Sequence, residues 1–352
     1  RHDKWLCMMY PRLKLLQKLL ADDGVIFISI DDTECSNLIL ICNEIFGASN
    51  FVANVSWQRT YSPRNDSKGI VSEVEHLVVF SKNPGWQPNK LPRTEAMDSR
   101  YKNPDNDVAP WKSSDAFAPG AATHQGMVYA IQHPFTGEML YPSNGRCWRY
   151  QQSSMLEYMQ GWCNYRLENL HDEKERARVC GIDESAVRKD VLAIVLEEPL
   201  EVSAAKAQKV YNRGRWPGFY FTKGGYGGIA RKTYLENVGG RLPTNLWMYE
   251  ETGHTDEAKK ELISLFGGRS PFDTPKPTRL LDFVLKVAGT SETLMLDSFA
   301  GSGTTAHAVL NANKADNGNR HFILIEMMDY ADSITAERVK RVIKGYGEGK
   351  NA

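Results

Sequence analysis

The most constraining feature of this sequence is an apolar run that ends in a carboxylate and is followed by a tight glycine turn. The run is Thr293–Leu296, Asp297 follows it, and residues 301–303 make the turn. Residues 304–310 then have the composition of a helix, with Thr304 predicted to cap it. Because the glycines allow close approach and a helix start presents free N–H groups, this order predicts an α/β fold that holds a nucleoside cofactor.

The charge of Asp297 distinguishes between two kinds of cofactor. Gly301, Gly303 and Ala306 fit the G-x-G-x-x-A pattern of dinucleotide sites, so a nucleotide-dependent oxidoreductase is one interpretation. A carboxylate just before the first glycine would repel a pyrophosphate and attract a cation. S-adenosylmethionine carries an amino group and a sulfonium, and Glu326 closes the next apolar run, where it is expected to bind the ribose hydroxyls. We therefore predict S-adenosylmethionine as the cofactor.

Length and composition argue against several classes of protein. With 352 residues the chain can bury cores for two or three domains. No apolar run approaches the ~20 residues that a bilayer crossing needs, and no signal peptide is present, so no membrane association is expected. The six cysteines have no zinc-site spacing, which predicts no metal site and favours a reduced, cytoplasmic protein.

The charges are balanced overall but segregated along the chain. There are 43 basic and 43 acidic residues, yet residues 206–232 hold seven bases and no acid. A local basic surface is enough to contact phosphates, although a merely solvated face is the alternative. The predicted DNA-binding residues are Lys206, Lys209, Arg213, Arg215, Lys223, Arg231 and Lys232. They are interleaved with the aromatic residues Trp216, Tyr220 and Tyr226.

Regular segments lie at both ends of the chain and an irregular one lies between them. Val25–Ile30 reads as a buried strand of the kind found in a parallel sheet. Residues 84–165 are rich in Pro, Asn, Ser and Gly, and predict loops and short strands. The two regular parts are expected to form one core. Helices are predicted at 3–20, 33–46, 152–165, 172–180, 184–198, 202–213, 255–266, 278–288 and 331–344.

Five segments, in this order along the chain, carry a resemblance to a known family. They are RHDKWLCMMYPRLKLLQKLLADDGVIFISIDDTE at 1–34, YKNPDNDVAPWKSSD at 101–115 with GRCWR at 145–149, LPTNLW at 242–247, TPKPTRLL at 274–281 and LDSFAGSGTTAHAV at 296–309. The last is similar to the cofactor motif of the β class of amino-group DNA methyltransferases. Together the segments resemble most closely the modification subunits of type III restriction–modification systems.

The resemblance implies both a fold and a reaction. The fold is α/β, with a Rossmann-like S-adenosylmethionine-dependent methyltransferase core in permuted order, interrupted by an irregular α+β target-recognition insertion. Residues 1–86 would form the first part of the core, 87–242 the target-recognition region and 243–352 the cofactor-binding part. The reaction would be methyl transfer from S-adenosylmethionine to N6 of an adenine flipped out of duplex DNA.

Partners and alternatives also follow from the resemblance. A homodimer and a helicase-nuclease restriction subunit are the implied protein partners, in a cytoplasmic restriction–modification system. A cytosine-N4 target, or a non-catalytic DNA-specificity module on a methyltransferase scaffold, are the alternatives.

The sequence departs from this family at the catalytic motif. It contains no D-P-P-Y, N-P-P-Y or S-P-P-W, and its nearest segment, at residues 103–106, lacks the second proline and the aromatic residue. In the family the motif lies upstream of the position of Arg1, and the sequence does not begin with Met. We therefore assign no catalytic residue, and we expect this chain to lack its catalytic loop and to transfer no methyl group alone.

The cofactor-binding residues are predicted around the glycine turn. Asp297 is expected to bind the methionine amino group, Glu326 the ribose, and Phe299 to wall the ligand. The hydroxyls of residues 302, 304 and 305 are expected to bind its carboxylate, with helix capping as the alternative. The full predicted set is Lys276, Pro277, Asp297, Phe299, Ala300, Gly301, Ser302, Gly303, Thr304, Thr305 and Glu326.

Overall fold

The fold is that of a computed structural model, which describes residues 2–62, 69–268 and 270–346. These residues form a mixed α/β structure with several separate sheets. The strands are β1 (Val25–Ile30), β2 (Phe51–Gln58), β3 (Val74–Ser81), β4 (Trp111–Asp115), β5 (Phe117–Pro119), β6 (Ile131–Gln132), β7 (Met139–Leu140), β8 (Arg146–Trp148), β9 (Tyr165–Glu168), β10 (Ala193–Leu196), β11 (Phe219–Phe221), β12 (Ile229–Tyr234), β13 (Leu246–Trp247), β14 (Leu294–Asp297) and β15 (His321–Leu324).

Helices occur in both halves of the chain. They are α1 (His2–Leu19), α2 (Cys35–Phe46), α3 (Glu95–Asp98), α4 (Gln152–Gln160), α5 (Glu173–Cys180), α6 (Leu200–Arg213), α7 (Tyr249–Thr252), α8 (Thr255–Leu265), α9 (Thr278–Ala288), α10 (Thr304–Asp316) and α11 (Glu337–Lys344). A π-helical turn, Ala331–Ala336, leads directly into α11.

The chain divides into two compact units. Unit 1 comprises residues 1–92 and 240–352, and unit 2 comprises residues 93–239. The sequence-based division lies at 86/87 and 242/243, and the assignment of target recognition to the middle segment stays a prediction. Within unit 1, Leu91 and Arg241 are paired through their backbones. Each N–H donates to the other C=O, at 2.8 and 2.9 Å.

The larger sheet of unit 1 has helices on both faces. Its strand order is β1-β3-β2-β13. On β3, Val78 and Phe80 pack with α1 and α2, whereas Leu77 and Val79 pack on the side of α9. The apolar residues of β1 divide between the same two clusters. β1 is partly buried and has apolar residues packed on both faces, which explains why the run at Val25–Ile30 is apolar except at the exposed Ser29.

The expectation that β1 belongs to a parallel sheet was wrong. β1 runs antiparallel to β3, with Val25 opposite Ser81 and Ile30 opposite His76. A continuous apolar run reports burial on both faces, and it does not report the direction of the neighbouring strand. The strand itself and the helices on either side of it are confirmed.

A second, parallel pair of strands supports the glycine turn. β14 pairs with β15, with Leu294 opposite His321 and Asp297 opposite Leu324. Behind them α9 and α10 pack together through Leu285, Ala308 and Val309. The predicted order of strand, turn and helix at 293–310 is therefore confirmed.

Unit 2 is built from short strands around an aromatic core. Three sheets, with strand orders β7-β6-β10-β9, β11-β12-β4 and β5-β8, confirm the short strands expected before residue 165. The helix predicted at 184–198 was wrong. Ala193–Leu196 is instead the buried strand β10, which pairs with β9 and β6. Four consecutive apolar residues suit a strand covered on both faces. Such a run cannot be distinguished from a helix by the spacing of its apolar residues.

A buried ion cluster joins two distant segments of unit 2. The Lys232 ammonium donates to Asp105 and Asp107, each at 2.5 Å, and to the Trp216 carbonyl at 2.7 Å. The side chains of Lys232 and Asp105 are fully buried. Asp105 also accepts bonds from the Trp111 indole and the Trp216 N–H. Asp105 belongs to the segment that is most similar to D-P-P-Y, at residues 103–106. Its carboxylate therefore has a structural role in unit 2.

We predict that Lys232→Met destabilises unit 2 strongly, by about 3–5 kcal/mol, because it leaves two carboxylates without their buried counter-charge. Urea unfolding followed by tryptophan fluorescence measures the loss. Lys206→Met is the matched control. It removes a partly exposed ion pair with Glu198 and should cost less than about 1 kcal/mol. Equal losses for the two variants would contradict this account.

Candidate cofactor site

The glycine turn between β14 and α10 needs its glycines. Gly301 and Gly303 have φ angles of 52° and 78°, in the left-handed region where other residues are strained. A Cβ on Gly303 would lie 3.0 Å from the Thr335 carbonyl oxygen, and a Cβ on Gly301 would lie 3.3 Å from the Phe272 ring. Conformation and space therefore both require the small residue.

The helix does not begin as the sequence suggested. Gly303 occupies the N-cap position of α10 and no side chain caps it, so the prediction that Thr304 is the cap was wrong. The Thr304 hydroxyl donates instead to the Lys276 carbonyl at 3.2 Å. A left-handed glycine turns the chain so sharply that the next residue already has helical geometry.

Two carboxylates bond to the turn and to the residues next to it. Asp297, at the end of β14, accepts bonds from the Phe299 N–H at 3.1 Å and the Thr305 hydroxyl at 2.6 Å. Glu326, just after β15, accepts a bond from the Gly301 N–H at 2.8 Å. Neither carboxylate forms a salt bridge with any residue that the structure describes. The turn therefore carries uncompensated negative charge, which suits a cationic ligand and disfavours a pyrophosphate.

The other predicted cofactor residues differ in exposure. Phe299 is 51% exposed, whereas Ala300 is buried. Pro277 is buried at the start of α9. The Lys276 ammonium pairs with Glu75 and lies 5.1 Å from the centre of the Trp57 ring, so only the backbone of this lysine contacts the turn.

The roles predicted for two hydroxyls were wrong. Ser302 and Thr304 are buried, and both accept bonds from the Arg338 guanidinium, at 3.1 and 2.9 Å. Their side chains face the protein interior, where they cannot donate to a ligand carboxylate. Thr305 is also buried, and it donates to Asp297. These hydroxyls therefore stabilise the turn through bonds on its buried side.

The guanidinium of Arg338 is the main structural element that the sequence did not reveal. It is 1% exposed and comes from α11. On its other side it donates to Glu261 at 2.8 Å, Thr278 at 3.1 Å and the His307 Nδ1 at 3.1 Å. The charge pattern of α11 gave no signal of this, because an arginine on a charged helix normally faces solvent.

His307 is a neutral acceptor in this network. Burial, and next the charge of Arg338, lowers the pKa of His307 to about 3. With Nδ1 accepting from Arg338, the proton lies on Nε2, which is 3.1 Å from the Tyr346 hydroxyl. A protonated ring here would repel the guanidinium.

A smaller polar cluster lies at the carboxyl end of β1. Asp32 accepts bonds from the His76 Nε2 at 2.8 Å and the Ser72 hydroxyl at 3.1 Å. The bond from His76 lowers the pKa of Asp32. Asp31 accepts a bond from the Thr33 N–H, and α2 begins only at Cys35.

The comparison with known families decides the assignment. Residues 1–337 match the DNA methylase family. The chain belongs to this family. The match covers both regular parts of the chain and the segment between them, and it supports a methyltransferase rather than an oxidoreductase.

The relatives of this chain include Mod subunits of type III restriction-modification enzymes and a type II methyltransferase. The chain is 31% identical to the type III restriction-modification enzyme StyLTI Mod subunit of Salmonella typhimurium, over 97% of this chain and 45% of the relative. It is 28% identical to the EcoPI Mod subunit of Escherichia phage P1, over 92% of this chain and 45% of the relative. It is 27% identical to the type II methyltransferase M.KpnI of Klebsiella pneumoniae, over 92% and 67%. The chain thus spans about half the length of the type III relatives.

The basic residues predicted to bind DNA are not equivalent in the structure. Lys206 pairs with Glu198 at 2.5 Å and Arg231 is half-buried. The inclusion of Lys232 was wrong, because its ammonium is fully buried among carboxylates. The exposed members of the set are Lys209, Arg213, Arg215 and Lys223.

The interleaved aromatic residues mostly belong to the core of unit 2. Trp216 stacks on Tyr211 at 4.7 Å and on Tyr220 at 5.7 Å between ring centres. Tyr226 is different, because it is 64% exposed on the turn between β11 and β12. Lys223 begins this turn with a φ of 49°, so the tip of the hairpin presents one base and one aromatic ring.

Two further properties concern the described residues only. No helix in them has the length and apolar character of a membrane span. Nor do they contain a group of three or more histidine, cysteine or acidic side chains arranged to hold a metal ion.

We predict that His307 makes unit 1 less stable in mild acid. Below about pH 6.5 the unfolded chain protonates this histidine, whereas the folded protein does not until about pH 3. The contribution of neutral His307 to the free energy of unfolding is therefore fully present above pH 6.5. It falls as the pH drops, by about 2 kcal/mol at pH 5. Urea unfolding at pH 7.5 and pH 5 measures the change, and His307→Gln should reduce it by that amount.

The comparison isolates His307 from other groups. Burial raises the pKa of Asp282 to about 6, which stabilises the folded state as the pH falls, but this effect is common to both proteins. His321→Gln, at an exposed position, is the control and should lose as much stability between pH 7.5 and pH 5 as the wild type does. If His307→Gln loses the same amount, the assignment of a neutral buried ring fails.

Proposed function

We propose that this chain binds S-adenosylmethionine at the β14–α10 turn and forms part of an adenine-N6 DNA methyltransferase of a type III restriction–modification system. Membership of the DNA methylase family supports methyl transfer. Relatives named as type III Mod subunits, at 31% and 28% identity over most of this chain, support the system. These relatives do not favour the cytosine-N4 and non-catalytic alternatives.

The observation that carries the cofactor proposal is the pair of carboxylates at the turn. Asp297 and Glu326 both lie at carboxyl ends of parallel strands, where ligands bind in α/β folds. Neither is neutralised by a described basic residue. An ammonium group would satisfy Asp297, and ribose hydroxyls would satisfy Glu326. A dinucleotide would bring its phosphates against the same negative charge.

The proposed contact with Asp297 uses hydrogen-bonding capacity that this carboxylate retains. A carboxylate accepts about four hydrogen bonds, and Asp297 accepts two from the protein. Glu326 already accepts from the N–H groups of Gly301, Met327 and Met328 and is bonded to the Tyr330 side chain, so ribose hydroxyls would replace some of these partners. The half-exposed Phe299 ring would cover the ligand. Thr305 holds Asp297 in place, so we assign it a positioning role.

The bound cofactor would supply an electrophilic methyl group. The amino nitrogen of adenine is a weak nucleophile, and in the family that this chain resembles the D-P-P-Y motif binds it. No such motif is present in this sequence. We therefore propose that the chain alone binds the cofactor and DNA without completing the transfer.

Unit 2 is the proposed DNA-recognition part. Its exposed bases, Lys209, Arg213, Arg215 and Lys223, come from the acid-free run at 206–232. Lysine suits phosphate contacts, and arginine also suits the edges of guanine. A homodimer and a helicase-nuclease restriction subunit remain proposals that rest on the resemblance.

Calorimetry tests the cofactor proposal. The wild-type chain should bind S-adenosylhomocysteine and should not bind NAD. Asp297→Asn keeps the shape of the side chain but removes its charge, and it should weaken binding by roughly 10- to 100-fold, the worth of a hydrogen bond to a charged group. Glu292→Gln, an exposed acid just before β14, should bind as the wild type does. Binding of NAD, or no effect of Asp297→Asn, would refute the proposal.

Charge reversal tests the DNA surface. Arg213→Glu with Arg215→Glu should weaken duplex binding in fluorescence anisotropy and lower the slope of log K against log salt by roughly 2. Lys174→Glu with Lys189→Glu reverses two exposed bases of unit 2 outside the basic run and is the matched control. If the control pair weakens binding as much as the test pair, the interface lies elsewhere.

A further inference from the structure

The last helical segment of unit 1 contacts the cofactor turn at every residue from 301 to 304. The Thr335 hydroxyl donates to the Gly301 carbonyl at 2.5 Å. The Thr335 carbonyl lies against Gly303, where it leaves no room for a Cβ. Arg338 reaches the remaining two residues of the turn through their hydroxyls. In addition to Glu326 and the Lys276 carbonyl, the turn is therefore held by a segment that is close to it in space and distant in sequence.

The guanidinium of Arg338 has two sides with different partners. One terminal nitrogen donates to the Ser302 and Thr304 hydroxyls, at 3.1 and 2.9 Å. The other donates to Glu261 at 2.8 Å and to Thr278 at 3.1 Å. The first side faces the turn, and the second faces Glu261 of α8 and Thr278 at the start of α9. A planar guanidinium fixes the distance between the two sets of partners, which a flexible lysine would not do.

A charge this deeply buried is costly unless every partner is in place. Arg338 is 1% exposed, and Glu261, its counter-ion, is 25% exposed at the side chain. Burial of an ion pair seldom adds net stability compared with apolar packing. What such a network provides is a fixed geometry, because each bond constrains the groups at both ends. Here the constrained groups are the backbone N–H donors at the start of α10.

We propose that Arg338 is a positioning residue for cofactor binding, which sets the geometry of the 301–304 turn through Ser302 and Thr304. This inference rests on the proposed function, since it concerns the same site. It assigns no direct contact between Arg338 and the ligand. Without the bonds from Arg338 to Ser302 and Thr304, the turn would have to become ordered when the ligand binds. The free-energy cost of that ordering would lower the affinity for the ligand.

Two hydroxyls provide a matched test. Ser302 and Thr278 each accept a bond of 3.1 Å from Arg338, and both are buried, but only Ser302 belongs to the turn. Ser302→Ala and Thr278→Val should lower the melting temperature by similar amounts, about 2–4 °C. Only Ser302→Ala should weaken S-adenosylhomocysteine binding, by about 10-fold. Only Ser302→Ala should also speed amide hydrogen exchange at residues 303–305 in the ligand-free chain.

Arg338→Lys provides a second variant that keeps the buried charge. It cannot bridge both sides, so it should repeat the affinity loss and the faster exchange of Ser302→Ala. Equal affinity losses for Ser302→Ala and Thr278→Val, or no change in exchange at 303–305, would overturn the inference. If the wild-type chain does not bind S-adenosylhomocysteine, the proposed function fails. Amide hydrogen exchange in the ligand-free variants still decides whether Arg338 orders the turn through Ser302.

Discussion

The site depends on how a glycine turn satisfies its own backbone. Between β14 and α10 the Gly303 N–H donates to the Ala300 carbonyl, and other groups of the turn bond to residues that are distant in sequence. Glu326 takes the Gly301 N–H and Thr335 bonds to its carbonyl, while Arg338 binds the neighbouring hydroxyls. Buried backbone groups without partners are costly, so these three side chains are conditions for the turn to exist. The ligand site that we propose lies at this turn, beside Asp297.

The parts of this site that the sequence predicted are the local ones. An apolar strand, its terminal carboxylate and two glycines lie within ten residues, and the physics of a tight turn needs nothing from elsewhere. Glu326 was also predicted, because the end of the next apolar strand lies at the same sheet edge. The β14–α10 order and the mixed α/β class followed from this pattern. The roles of the individual cofactor residues stay predictions.

The parts that were missed depend on distant contacts. Arg338 binds Glu261, which is 77 residues away, and nothing in either local segment indicates the pair. Lys232 looked like a member of a basic surface until its partner at position 105 was known. Strand direction was misjudged at β1, since burial on both faces gives the same apolar run in parallel and antiparallel sheets. The prediction that Thr304 caps α10 was wrong for a different reason. Gly303 occupies the N-cap position in a left-handed conformation.

The rung between Leu91 and Arg241 bears on how such proteins diversify. The two points where the chain leaves and rejoins unit 1 are neighbours, joined by reciprocal backbone bonds that do not depend on side-chain identity. The 147 residues from 93 to 239 have their own core and their own buried ion cluster. A segment of another length or origin could be spliced between these points without disturbing the frame. The segment between these two points could therefore be exchanged while the sheets of unit 1 stay unchanged.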